Sequence, residues 1–406
     1  MAWEADVRKP AAVSLFKAVF KPEIRHASLA IALALSVTGC STVSGWFGSS
    51  GKPAAKPAEL VEIKASTGIS RVWDANVGGA GIYAFSPATD GQAVYAAGRE
   101  GRIVKLDLAS GREVWRIEAG QVISAGVGAG EGLMLVGTPK GELLAYKAAD
   151  GSPAWTAKLS GELLMPPEVA NGAVAARSND GKLALLDAAT GKLRWTYSRA
   201  LPTLTLRNQS HMLLGETALY AGHAGGRLTA LALNNGAPQW EANVALPRGA
   251  TELERIADVA GSLAMDERRV CAAAFQGRVA CFDRVSGNSV WVREFSSLGG
   301  VDMDDRYVFA ADEHDTVAAF DKNRGINPWK QDKLRDRKLS SPVAVAEKYV
   351  AVGDYQGQIH LINAEDGAFA ARAATDGSPI RGVMLRLKSG LVVQTANGGV
   401  YALKIQ

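Results

Sequence analysis

The stretch "GKLALLDAATGKLRW", Gly181 to Trp195, decides the fold. It reads as a short apolar strand, a polar turn closed by Gly191, and a second strand ending on a tryptophan. Forty residues earlier stands "GELLAYKAADGSPAW" (Gly141 to Trp155), and forty before that "GRIVKLDLASGREVW" (Gly101 to Trp115), with the same Gly-to-Gly and Gly-to-Trp spacing. Looser copies follow: "GRLTALALNNGAPQW" from Gly226, "GRVACFDRVSGNSVW" from Gly277, "DTVAAFDKNRGINPW" from Asp315, "GQIHLINAEDGAFAA" from Gly357, and a half-copy "GGVYALKIQ" from Gly398. A further β-type segment, opened by a polar turn such as Asp90-Gly91 or Asn171-Gly172, precedes each copy. Each unit therefore carries about four strands.

A period of about 40 residues with four strands per unit is the pattern of a β-propeller blade, because one small twisted sheet cannot bury both faces without a neighbour on each side. The expected fold is all-β, an eight-bladed propeller spanning 61–406. The eighth copy stops at Gln406 without an outermost strand, and "ISRVWDANVG" near the start carries Trp73 in the repeat's Trp position. Pairing of the two chain ends closes the ring. The first repeat Gly (Gly101, Gly141, Gly181, Gly226, Gly277, Gly357) suits a hairpin position with φ > 0, and the second (Gly111 to Gly367) suits the turn to the outer strand. Trp73, Trp115, Trp155, Trp195, Trp240, Trp291 and Trp329 recur once per blade. That regularity favours packing between blades over an aromatic cofactor stack.

Composition agrees: 406 residues, 47% hydrophobic and 21% charged, with 44 glycines, suit a large core cut by many tight turns. Residues 1–39 differ in kind. "SLAIALALSVTGC", Ser28 to Cys40, is an apolar run after Lys21, Arg25 and His26, too short to span a bilayer, and reads as a signal peptide with a long n-region. The ending Val37-Thr38-Gly39-Cys40 resembles a bacterial lipobox, with Cys40 as the acylated residue; the alternative is a plain secretory signal with an incidental cysteine. Ser41 in place of Asp resembles the sorting pattern of lipoproteins sent to the outer membrane. The Gly, Ser, Pro and Ala of 41–60 make a flexible tether behind Cys40. Removing the five basic and three acidic residues of 1–39 leaves 40 basic against 38 acidic, so the mature chain lacks the electrostatic signature of nucleic-acid binding.

The "A-x-D/A-x-x-G-x-x-x-W" form of the repeats resembles the tryptophan-docking motif of propellers related to pyrroloquinoline quinone enzymes, over residues 70–406. Enzymes of that kind carry an adjacent Cys-Cys pair, acidic calcium ligands and a catalytic Asp. Here Cys271 and Cys281 stand ten apart, the five histidines lack metal-ligand spacing, and "DMDDRY" (Asp302 to Tyr307) falls in a polar turn. No catalytic residue, metal or cofactor is expected. A quinone-dependent dehydrogenase or another periplasmic binding propeller is the alternative.

The repeat spacings are 40, 40, 45, 51, 38, 42 and 41, so the surplus falls in two consecutive connectors, 196–210 and 241–262. Both run from an outer strand to the next innermost strand, and so emerge side by side on one face. The first, "LPTLTLRNQS", places Leu204, Leu206 and Arg207 in alternation; the second, "TELERIADVAG", holds Glu252, Glu254, Arg255 and Asp258. Leucines beside an arginine suit a partner anchor, or else a locally packed turn. Signal, tether and eight blades in this order resemble the outer-membrane assembly lipoproteins of the BamB family. In that family the matching "L-x-L-R" and "D-V-D" stretches contact the periplasmic repeats of BamA, which implies partner-binding roles for Leu204, Leu206, Arg207 and Asp258; Ala260 stands where the pattern has a second Asp. The resemblance further implies BamA and other Bam subunits as partners, a lipid anchor in the outer membrane facing the periplasm, and a scaffold rather than an enzyme. Exposed strand edges could add unfolded outer-membrane proteins by β-augmentation.

Cys271 and Cys281 flank the hairpin "VCAAAFQGRVACF". A three-residue turn Phe275-Gln276-Gly277, with Ala274 opposite Arg278, faces the two cysteines across the strands at bonding distance. A two-residue turn sends them to opposite faces as buried free thiols.

Overall fold

The computed structural model describes residues 56–207 and 210–406; the expected signal peptide, Cys40 and most of the tether lie outside the described residues. The described strands form eight four-stranded antiparallel sheets. Blade 1 runs from inside to outside as Ala88–Thr89, Ala93–Ala97, Arg102–Asp107 and Glu113–Glu118, and blades 2 to 7 repeat that order along the chain. Blade 8 takes Leu385–Leu387, Gly390–Gln394 and Gly399–Ile405 from the C-terminus and its outer strand, Ile69–Asn76, from the N-terminus. The closing pair is antiparallel from Ile69↔Ile405 to Asn76↔Gly399, with a bulge between Arg71 and Trp73. Closure by hydrogen bonds leaves no blade with an unpaired neighbour.

Burial follows from the ring. Second strands such as Ala93–Ala97, Leu133–Gly137 and Ala173–Arg177 are buried along their whole length, because neighbouring blades cover both faces. The core is accordingly divided between blades. Tyr220, Leu228 and Trp240 of blade 4, for example, pack with Val270, Ala272 and Phe282 of blade 5.

Each repeat tryptophan joins its blade to the next. Its indole N–H donates to a backbone carbonyl of the following blade: Trp73 to Leu108 at 2.9 Å, Trp115 to Ala148 at 3.1 Å, Trp155 to Ala188 at 2.8 Å and Trp195 to Leu233 at 2.8 Å. Trp240, Trp291 and Trp329 do the same to Arg284, Lys322 and Ala364. The ring lies on the second repeat Gly of that blade. Gly236 has φ +72°, and a Cβ there would meet Trp195 Cδ2 at 2.7 Å. Gly236→Ala is therefore expected to cost about 2 kcal/mol or more, strain and displaced indole together, read as a lowered thermal midpoint; an unchanged midpoint would show that the inter-blade gap opens freely.

The structure corrects one glycine assignment. Gly277 does not take positive φ; Gln276 does, at 47°. The hairpin register is still Cys271↔Cys281, with the Ala274 N–H bonded to the Arg278 carbonyl at 2.9 Å. The left-handed residue has moved one place without changing the strand pairing. In blade 6, which has Asp315 where other blades have Gly, that aspartate itself takes φ +63° and accepts from the Lys338 and Leu339 amides at 2.6 and 2.8 Å. Aspartate enters the left-handed region more readily than most residues, and here the amides of the next connector hold its side chain.

Cys271 and Cys281 form a disulfide with Cα atoms 4.1 Å apart, fully buried between blades 5 and 6. Alkylation of the unfolded protein without reductant is expected to leave both cysteines unmodified. The double Ala variant should lose less than about 3 kcal/mol, since the closed loop is short.

The last residues expected to be tether are held on the ring. The Ala58 N–H donates to the Arg335 carbonyl at 2.9 Å, Arg337 Nη1 donates to the Ala58 carbonyl at 2.9 Å, and Leu60 packs against blades 6 and 7. Arg337 and His360 both bond Asp354, at 2.8 and 3.1 Å, and Arg372 Nε donates to His360 Nδ1 at 3.1 Å while its Nη1 reaches the Val61 carbonyl. With Nδ1 accepting from Arg372, Nε2 carries the proton and donates to Asp354. Burial pushes the Asp354 carboxyl up, but the bonds from His360, the Gln358 amide and Arg337 outweigh it and hold it below its ordinary value. A carboxylate so depressed adds stability above its unfolded pKa, and that contribution is lost as pH falls through the folded value. Asp354→Ala leaves Arg337 buried without its counter-charge and is expected to cost about 3–5 kcal/mol.

Candidate partner-binding face

Connectors between an outer strand and the next innermost strand all leave the ring on one face. Two of them are longer than the rest: 198–211, between blades 3 and 4, and 244–263, between blades 4 and 5. The second is longer because it makes its own turn. Glu254 Oε2 accepts from the amides of Ala250 and Thr251 at 2.8 and 3.1 Å, and Arg255 pairs with Glu252 at 3.2 Å. Glu252 and Glu254 are thus engaged within the connector. Leu253, at its tip, is 66% exposed.

Asp258 fuses the two connectors. Its Oδ2 accepts from the Leu206 amide at 2.7 Å and its Oδ1 from the Gly225 amide at 2.9 Å, while its own carbonyl takes the Phe275 amide at 2.9 Å. Only 4% of Asp258 is exposed. The partner-binding role that the resemblance implies for Asp258 thus falls on a buried carboxylate, whose two oxygens are engaged by backbone and position the neighbouring chain. Ala260 is fully buried beside it, with its N–H on the Ala273 carbonyl. A parallel bridge Ser210↔Gly261 and the bond from the His211 amide to the Gly261 carbonyl, at 2.9 Å, continue the seam.

With that seam in place, Leu204 stands 44% exposed and Leu206 partly buried. The Arg207 side chain, 61% exposed, reaches across to Glu162 in the connector between blades 2 and 3, at 3.1 Å to each carboxylate oxygen. Glu162 also accepts from the Tyr83 hydroxyl at 3.3 Å, which belongs to the connector entering blade 1. Burial first, and then the Glu162 carboxylate, raise the Tyr83 hydroxyl pKa. Leu201, Leu246 and Ile82 add exposed apolar surface on the same set of connectors. Glu162 and Tyr83 were not legible from the sequence, since nothing in their local pattern ties positions 83, 162 and 207 together. The surface offers exposed leucines on the same connectors as an arginine whose ion-pair partner among the described residues is Glu162, and such half-open pairs are worth about 0–1 kcal/mol. A docking chain can take Arg207 at little cost.

Comparison with known proteins agrees with this architecture. The family model described as outer membrane protein assembly factor BamB matches residues 99–331 and 313–406. The BamB of Nitrosomonas eutropha is 44% identical over 349 residues, covering 86% of this chain and 85% of that protein. The BamB of Burkholderia pseudomallei is 41% identical over 350 residues, covering 86% and 91%. The crystal structure of BamB from Moraxella catarrhalis superposes with a TM-score of 0.76 at 27% identity, covering 83% of this chain and 99% of that one. A quinohemoprotein alcohol dehydrogenase from Comamonas testosteroni shares the fold alone, at 13% identity and a TM-score of 0.65. The chain belongs to the BamB family of outer membrane protein assembly factors.

Proposed function

We propose that this protein is a non-catalytic scaffold of the outer-membrane β-barrel assembly machinery, anchored by a lipid on Cys40 and docking BamA's periplasmic domains on the connector face. The observation that carries the reading is the Asp258 seam, which locks two surplus-length connectors into one surface and leaves Leu204 and Arg207 presented on it. Loops fixed on a rigid frame suit binding because little entropy is lost when a partner arrives. Ala58 is bonded to the connector 332–342, between blades 6 and 7, through the Arg335 carbonyl and the Arg337 side chain. A scaffold that is both tethered and docked would hold mobile periplasmic domains near the membrane. Affinity capture from solubilised outer membrane is the test: BamA and further Bam subunits are expected to co-purify with the wild-type protein. Recovery of the propeller without BamA would remove the assignment.

A further inference from the structure

Beneath the connector 198–211 lies a cavity of about 30 Å³, between blades 3 and 4, with room for about one or two water-sized atoms. Arg177, at the end of the strand Ala173–Arg177, reaches into it from below, 3% exposed. Its Nη1 and Nη2 donate to the carbonyls of Ser210 and Gly222 at 3.0 and 2.7 Å, and its Nε meets no acceptor among the described residues. Its partners among the described residues are neutral carbonyls, with no carboxylate among them. His223, 8% exposed, lines the same cavity, with its ring against Tyr197 and its Nε2 likewise without a partner. Arg199 stands on the rim, ion-paired to Glu241. The one acid in the lining, Asp258, already has both oxygens on backbone amides.

Buried donors are normally satisfied, and a buried cation is normally paired. Arg177 Nε and His223 Nε2, on two residues that line one small cavity, have no partner among the described residues, and the other Arg177 nitrogens hold neutral carbonyls; with His223 protonated at Nε2 the pair describes a site missing its acceptor. We propose that this cavity is an anion site, sized for one carboxylate or a halide-like monovalent ion, held by Arg177 and His223 and roofed by Leu201 and Leu206. Burial lowers the Arg177 pKa to about 10, and burial together with the charges of Arg177 and Arg199 holds His223 well below its ordinary value. An anion in the cavity relieves both effects. Because Leu206 forms part of the roof, filling the site also braces the connector that carries Leu204 and Arg207.

The probe is sodium formate, added to the mature protein labelled with ¹⁵N at histidine and followed by NMR. Expected is a saturable shift of the His223 Nε2 signal with a rise in its apparent pKa, while His314, exposed and remote, responds only to ionic strength. Arg177→Met should abolish the saturable response. Should that variant fail to fold, Arg199→Gln leaves the buried bonds intact and is expected to weaken formate several-fold. A His223 signal that drifts without saturating, or saturates equally in Arg199→Gln, overturns the site. A second arm identifies the natural source of the anion: formate competing with a BamA periplasmic fragment means the socket takes a carboxylate of the docked chain, and saturation of the site with undiminished BamA binding means a free ion.

Discussion

Changing Leu204 to Glu together with Arg207 to Ala is expected to abolish co-purification of BamA while leaving the thermal midpoint within a degree or two of wild type. Both side chains project from the connector face, and the Arg207–Glu162 pair is solvent-exposed on the arginine side, so the fold loses little. The interface loses a great deal. A charge introduced at an apolar anchor and a truncated arginine each commonly cost about 2 kcal/mol or more, and together they should weaken binding by more than about a hundredfold. Asp258→Ala is the informative companion. It removes the acceptor for the Leu206 and Gly225 amides without touching the exposed surface, so binding should fall together with a stability loss of about 1–3 kcal/mol. If BamA survives the double change, the docking surface lies elsewhere on the ring.

Replacing Cys40 with Ala should abolish labelling by radioactive palmitate and move the protein from the membrane to the soluble periplasmic fraction. The effect is expected to be all-or-none, because acyl chains supply about 0.8 kcal/mol per buried methylene and no helix of the described residues is long and apolar enough to cross a membrane. The ring itself should be unaffected, its N-terminal segment being held from Ala58 onward by the Arg337 bonds. Labelling that persists in the variant would end the lipoprotein reading. The two variants separate cleanly: Cys40→Ala should still bind a soluble BamA fragment, and the Leu204, Arg207 variant should still be acylated.

The ring was legible because its code is local and periodic. The Gly-turn-Trp pattern recurs about every 40 residues, and each tryptophan meets a partner 31 to 44 positions ahead, one blade on, so that one repeat read correctly places them all. The pairing of Ile69–Asn76 with Gly399–Ile405 followed from counting strands, since a half-copy at one end demanded its complement at the other. Turn chemistry was legible only to within a residue, as Gln276 shows by taking the left-handed position next to Gly277. Either placement preserves the register, so the strand pairing does not depend on which of the two residues takes the left-handed position, although glycine takes it at lower steric cost.

The connector face was legible in outline alone. Surplus length marked both connectors, and alternation marked Leu204 and Leu206, but the division between residues that bind outward and residues that brace inward has no sequence signal. Asp258 and Arg207 are both charged loop residues; one is buried with both oxygens on backbone amides, the other stands in solvent against Glu162. That difference arises from contacts between segments 45 to 79 residues apart, brought together by the ring and not encoded in the repeat. Sequence by itself determined the blade count, the closure and the inter-blade tryptophans, because those interactions repeat with the chain. Only the tertiary structure decided which connector side chains are free and where Arg177 and His223 converge, because desolvation and hydrogen-bond geometry depend on neighbours that no local pattern names.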